Sequence, residues 1–134
     1  MRVVLDTNVL IAALISRGSC AELLEHCVHR HEVVASEFIF GELREKLLGK
    51  LKYDAHDVDD AVALLRSAMR IVTPVQLDAS VCRDRDDDSI LGTAIAGDVD
   101  CIVTGDADLL VLGAYRGISI VRPADFLVIE ASGE

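Results

Sequence analysis

The chain contains no tryptophan, only 2 prolines and 4% aromatic residues. The few rings, Phe38, Phe40, Tyr53, Tyr115 and Phe126, are not interleaved with basic residues. A stacking platform for single-stranded nucleic acid is therefore absent. No low-complexity segment interrupts a composition that is 51% apolar, which excludes a disordered chain. Long hydrophobic runs are lacking too, and a stretch such as residues 9–15 falls far short of a bilayer span. The opening residues carry no signal-peptide pattern, so a cytoplasmic protein with no membrane partner is expected. At 134 residues the chain is long enough for one domain that buries roughly two-thirds of its unfolded surface.

Paired cysteine motifs are also missing. Cys20, Cys27, Cys82 and Cys101 form no CxxC unit, and a cytosolic chain keeps such thiols reduced. Cys20 and Cys27 lie near His26, His29 and His31 on an expected helix, so zinc is conceivable. Zinc sites use tighter ligand pairs, and buried free cysteine is the preferred reading.

Positive charge is scarce. Against 23 acidic residues stand 13 Lys and Arg, for a net charge of −10. That sign opposes a phosphate backbone. However, much of the acid is local: Asp84, Asp86, Asp87 and Asp88, then Asp98, Asp100, Asp106 and Asp108. A carboxylate cluster that loads divalent cations changes its effective charge, and an acidic surface suits a basic protein partner.

Short apolar runs alternate with amphipathic stretches. Strands are expected at 2–5, 31–35, 71–72, 101–104 and 118–121. Helices are expected at 9–15, capped by Thr7 or Asn8, and at 20–29. Further helices follow Ser36 through 49, then at 57–69, 88–96 and 106–110, and a last one opens at Pro123. Strands separated by helices imply an α/β fold with a mainly parallel central sheet flanked by helices on both faces. In such sheets ligands sit beyond the carboxyl ends of the strands. Asp6 and Asp106 occupy two such ends.

Four acids can share one crevice: Asp6, Glu42 in a helix, Asp88 at a helix start, and Asp106. Each also has a plainer reading, as a helix cap or, for Glu42, as an i,i+4 partner of Lys46. Brought together, they would raise one another's pKa and call for Mg²⁺ or Mn²⁺, hard cations that prefer oxygen. Two such ions about 4 Å apart can activate water against a phosphodiester.

The segment Val3-Val4-Leu5-Asp6-Thr7-Asn8-Val9-Leu10 resembles the opening motif of PIN domains. Three more segments resemble the family's later motifs, in order. They are Ser36-Glu37 with Gly41-Glu42-Leu43-Arg44-Glu45-Lys46-Leu47, then Asp86-Asp87-Asp88-Ser89-Ile90-Leu91, then Ile102-Val103-Thr104-Gly105-Asp106-Ala107-Asp108. Small prokaryotic toxins of toxin–antitoxin pairs, the VapC-like ribonucleases, are the members most similar. The resemblance implies a PIN-like nuclease domain over 1–130 with a tail at 131–134. It implies metal binding by Asp6, Glu42, Asp88 and Asp106. Support or substrate orientation would come from Thr7, Asn8, Thr104 and Asp108. It also implies RNA hydrolysis, a cognate antitoxin and a homodimer. Arg17, Arg44, Lys46 and Lys50 are candidates to hold the RNA backbone. The third motif departs from the family: Arg85 stands where a proline is common, which leaves Asp86, Asp87 and Asp88 to compete for one role. Asp88 is preferred because it would open the helix.

Two other classes compete. A haloacid-dehalogenase-type phosphatase needs an acid two residues after its nucleophilic Asp, and Asn8 stands there instead. A catalytically silent PIN-like module that binds RNA or protein, and a DNA nuclease on the same fold, share the same acidic set.

Overall fold

Apolar runs become strands where both faces are covered. The computed structural model, which describes residues 1–132, contains β1 (Arg2–Leu5), β2 (Glu32–Ala35) and β4 (Cys101–Val103), all built from such runs. The strands β3 (Arg70–Ile71), β5 (Ala114–Tyr115) and β6 (Ile118–Val121) complete one sheet in the order β3-β2-β1-β4-β6-β5. All neighbours are parallel except β5 and β6. Residues 3–5 and 101–103 are at most 1% exposed, as expected for strands buried on both sides.

The helices are α1 (Thr7–Ile15), α2 (Ser19–Arg30), α3 (Glu37–Gly49), α4 (Ala55–Ser67), α5 (Arg85–Ala96), α6 (Ala107–Leu110) and α7 (Pro123–Ser132). The chain steps outward from β1 to β2 to β3, then returns to the other side of β1 as β4. Right-handed crossovers in opposite directions put α1–α4 on one face and α5 on the other. The sheet therefore switches direction between β1 and β4, and the crevice opens at their carboxyl ends.

Several boundaries differ from the sequence expectation. The cap of α1 is Asp6 rather than Thr7 or Asn8, because the Asp6 carboxylate accepts from the Thr7 N–H. Ser36 makes no side-chain cap; it is fully buried, and its hydroxyl bonds Thr93 Oγ1 at 2.9 Å, tying α3 to α5. Helix α5 begins three residues before position 88, with Asp84 as its cap. Strand β5 was not expected; it pairs with β6 across Arg116 and Gly117, both at positive φ (50° and 81°). That combination is a tight hairpin turn matched to strand twist. Helix α7 runs past the expected boundary at 130, and residues 133–134 of the expected tail lie outside the described residues.

One close approach fixes α5. The Val75 N–H donates to Gly92 O at 3.0 Å, and a Cβ on Gly92 would lie 2.2 Å from Val75 O. The obstacle is backbone, so it cannot swing aside. Gly92→Ala is expected to cost about 1–3 kcal/mol of stability through overpacking, read from the urea midpoint at unchanged slope.

Candidate metal centre

Each carboxylate at the crevice is set by a local backbone requirement. Asp6 ends β1: its N–H donates to Val103 O at 3.0 Å, and its side chain turns back over the start of α1. It is 5% exposed, with Oδ1 accepting from Thr7 N at 2.7 Å and Oδ2 from the Thr104 hydroxyl at 2.7 Å. Burial raises the Asp6 pKa, the bonds from Thr104 and Thr7 oppose this, and nearby Asp106 adds to it. Thr104 is fully buried and also accepts from Asp106 N at 3.0 Å, so one hydroxyl links the ends of β1 and β4. Thr7 in turn donates to Glu42 on α3. Glu42 is likewise raised by burial, against the lowering effect of Thr7 and Lys46.

Asp106 caps α6, accepting from Asp108 N at 2.7 Å and from Leu109 N. Asp108 lies beside it and bonds Arg83 at 2.9 Å. Asp87, Asp106 and Asp108 each offer an oxygen within 4.8 Å of the others.

Asp6, Asn8, Glu42, Lys46, Asp84, Asp86, Asp87 and Asp106 line one crevice of about 250 Å³. Asp88 is not among them, and its expected place in the cluster is corrected by the structure. Its Oδ1 accepts from Cys82 N at 2.8 Å and Val81 N at 3.2 Å, and its Oδ2 lies 3.0 Å from the Ser80 hydroxyl. Partial burial pushes Asp88 upward, but those bonds outweigh it and hold the carboxyl below its ordinary value. It lines the depression under residues 74–80 instead. The reason is rotation. With α5 starting at residue 85, position 87 faces inward and position 88 lies about 100° round the helix.

Asp87 lines the crevice where Asp88 was expected. It is 6% exposed, and its Oδ2 is buried with no hydrogen-bond partner. Burial first, then Asp106, Asp84, Asp6 and Asp108, push its carboxyl up to about 7. A buried acceptor without a donor needs an explanation. An all-oxygen donor set around it fits a hard divalent cation.

The raised acid has a sign for stability. Between about pH 4 and 7 the folded state binds the Asp87 proton and the unfolded state does not, so this group's contribution falls as pH rises. In EDTA, the Tm of Asp87→Asn is expected to gain on that of the parent as pH climbs from 4 to 7. A constant offset would mean that Asp87 is not the titrating group.

The basic candidates separate. Lys46 lines the crevice, its Nζ 3.3 Å from Asn8 Oδ1. Arg44 is paired with Asp59 on α4 at 2.9 Å. Arg17 and Lys50 are exposed and do not line the crevice. Buried Cys27 and Cys101 have thiols pushed up to about 12 by burial, which suits inert core residues.

The family model for the PIN domain matches residues 2–108. Two solved structures share the fold. VapBC2 from Rickettsia felis, bound to a DNA fragment from their promoter, aligns at 16% identity and TM-score 0.63, over 90% of this chain and 97% of that one. VapBC-1 from nontypeable Haemophilus influenzae aligns at 14% identity and TM-score 0.66, over 92% and 99%. No curated protein matches the chain. No single helix among the described residues is long and apolar enough to cross a membrane.

Proposed function

The chain belongs to the PIN-domain family, matched over residues 2–108, and on that premise we propose that it is a metal-dependent endoribonuclease, the toxin of a toxin–antitoxin pair. One observation carries the reading. Asp6, Glu42, Asp87 and Asp106 converge at the carboxyl end of the sheet, around a buried Asp87 oxygen that has no donor. Those four side chains would hold Mg²⁺ or Mn²⁺, together with Asp108, whose carboxylate oxygen lies within 4.8 Å of those of Asp87 and Asp106. When bound, the cation supplies charge stabilisation for phosphate oxygens and makes water acidic enough to attack.

The chain's own residues do the rest. Thr104 and Thr7 hold the Asp6 carboxylate at both oxygens, and Thr7 extends the same line to Glu42. Such outer bonds fix ligand direction. Lys46 brings an ammonium to the crevice wall, where it can meet a backbone phosphate. A cognate antitoxin and a homodimer belong to the same reading. The acidic chain, at −10, favours a basic antitoxin segment. The groove between α1, α3 and α4 exposes Leu14, Ile15 and Tyr53 for its apolar part.

The test is cleavage of end-labelled single-stranded RNA, and of DNA of the same sequence, with Mg²⁺, Mn²⁺ or EDTA. RNA cut only with metal is expected. Cutting of DNA alone would replace the substrate class. Cutting of neither, with Mg²⁺ binding measured, would make the protein a binding module.

A further inference from the structure

Of the cysteines in the Cys/His set around α2, Cys27 is fully buried in the core and Cys20 packs against it partly buried. The histidine half does something else. His26 on α2 and His31 just after it both aim Nε2 at a single atom, Oε2 of Glu130 on α7, about a hundred residues away in sequence. The His26 contact is 2.8 Å. All three ligand atoms lie within 4.8 Å of one another. We propose that His26, His31 and Glu130 form a second metal site, separate from the carboxylate crevice, that takes Zn²⁺.

The geometry is prepared for it. The His31 side chain is 7% exposed, Glu130 20% and His26 33%, so the site is closed on one side and open at His26. The His31 ring is wedged edge-on between His26 and Phe126, with centroids 5.6 and 5.8 Å away. Its Nδ1 lies 3.2 Å from the Met1 nitrogen, which fixes the ring plane; zinc at Nε2 requires the proton on Nδ1, donated to Met1 as a neutral amine. Two imidazoles and one carboxylate are a zinc donor set, with bonds of about 2.0–2.2 Å and remaining positions left to water. A tetrahedral ion needs donors roughly 3.3 Å apart, wider than both His–Glu130 contacts, so the Glu130 carboxylate must back away from the two rings to admit the ion. The donor chemistry also sorts the metals: imidazole suits Zn²⁺, whereas Mg²⁺ keeps to the oxygen-lined crevice. Zinc here would fasten α7 to α2 beside the first residue of the chain.

The test uses the full chain in saturating Mg²⁺, which fills the crevice. Co²⁺ serves as the visible probe, and Zn²⁺ is measured by its displacement and by the rise in Tm. One equivalent of Co²⁺ with the intense bands of a four- or five-coordinate site is expected. His26→Gln and Glu130→Gln, both partly exposed and near-isosteric, should each weaken binding at least about tenfold. Asp87→Asn should leave it unchanged. The proposal fails if no Co²⁺ or Zn²⁺ binds beside Mg²⁺. It fails equally if both His26→Gln and Glu130→Gln bind as the parent does, or if binding is lost in Asp87→Asn. None of these outcomes depends on nuclease activity.

Discussion

Asp6→Asn is expected to lower metal-dependent RNA cleavage by about 10³-fold or more while the protein stays folded. Both halves follow from the bonds of this side chain. The asparagine Oδ1 can still accept from Thr7 N, so the cap of α1 survives. The other side loses an acceptor: an amide nitrogen opposite Thr104 Oγ1 must donate to a hydroxyl that already accepts from Asp106 N. One hydrogen bond is lost, worth about 1 kcal/mol. Against that, a charge that burial disfavours is removed from beside Asp106, so the net change in stability is small. Thermal unfolding in EDTA should place the variant within a few degrees of the parent. The rise in Tm on adding Mg²⁺ should shrink, because one anionic ligand is gone. Retained cleavage in a folded Asp6→Asn protein would remove Asp6 from the ligand set.

Most of the architecture was legible because its signals are local. Residues 3–5 and 101–103 are apolar on successive positions, which only a strand covered on both faces requires. The amphipathic spacing around Leu43, Leu47, Val58, Val62 and Leu65 placed α3 and α4. Strand β5 was not legible. It is two residues long, and its Arg-Gly turn lacks the Asn or Asp that usually marks such hairpins. Ser36 stands at the cap position of α3 as expected, but its hydroxyl goes to Thr93, 57 residues away, which no local signal announces. The pairing of His26 and His31 with Glu130 is likewise a product of tertiary packing that no spacing announces.

The start of α5 was the boundary error that bears on the proposed site. In the run from Asp84 to Asp88, any acid can serve as a cap, and placing the cap at 88 removes the first turn of the helix and Asp87 with it. A second signal was present. Ile90, Leu91 and Ala94 form the buried face of α5. Asp87 precedes them by three, four and seven residues, the spacing of a single helical face. Asp88 shares only part of that face. An acid on the apolar face of a helix is the informative one, since a solvated cap has no reason to be there.

The two neighbours should therefore part sharply on substitution. Asp87→Asn is expected to lower cleavage by about 10³-fold and to raise the metal-free Tm at pH 7. It removes a carboxyl whose pKa stands at about 7 through burial and the surrounding acids, and it gives the unpartnered Oδ2 position an N–H. Asp88→Asn should keep cleavage within about tenfold, roughly 1.4 kcal/mol of barrier. Its Oδ1 can continue to accept from Val81 and Cys82 N–H groups. Its new amide can donate to Ser80 Oγ, freeing that hydroxyl's one proton for Cys82 O, 3.0 Å away. What is lost is the charge on the acceptor, on the order of 1 kcal/mol of stability. Initial rates at saturating Mn²⁺ and melts in EDTA measure both quantities in the same preparations. If Asp88→Asn were the inactive one and Asp87→Asn the active one, α5 would have to turn in the loaded protein so that position 88 replaced 87. The bonds from residues 80–82 to Asp88 would then have to break on metal binding, a change that amide protection across that loop would report.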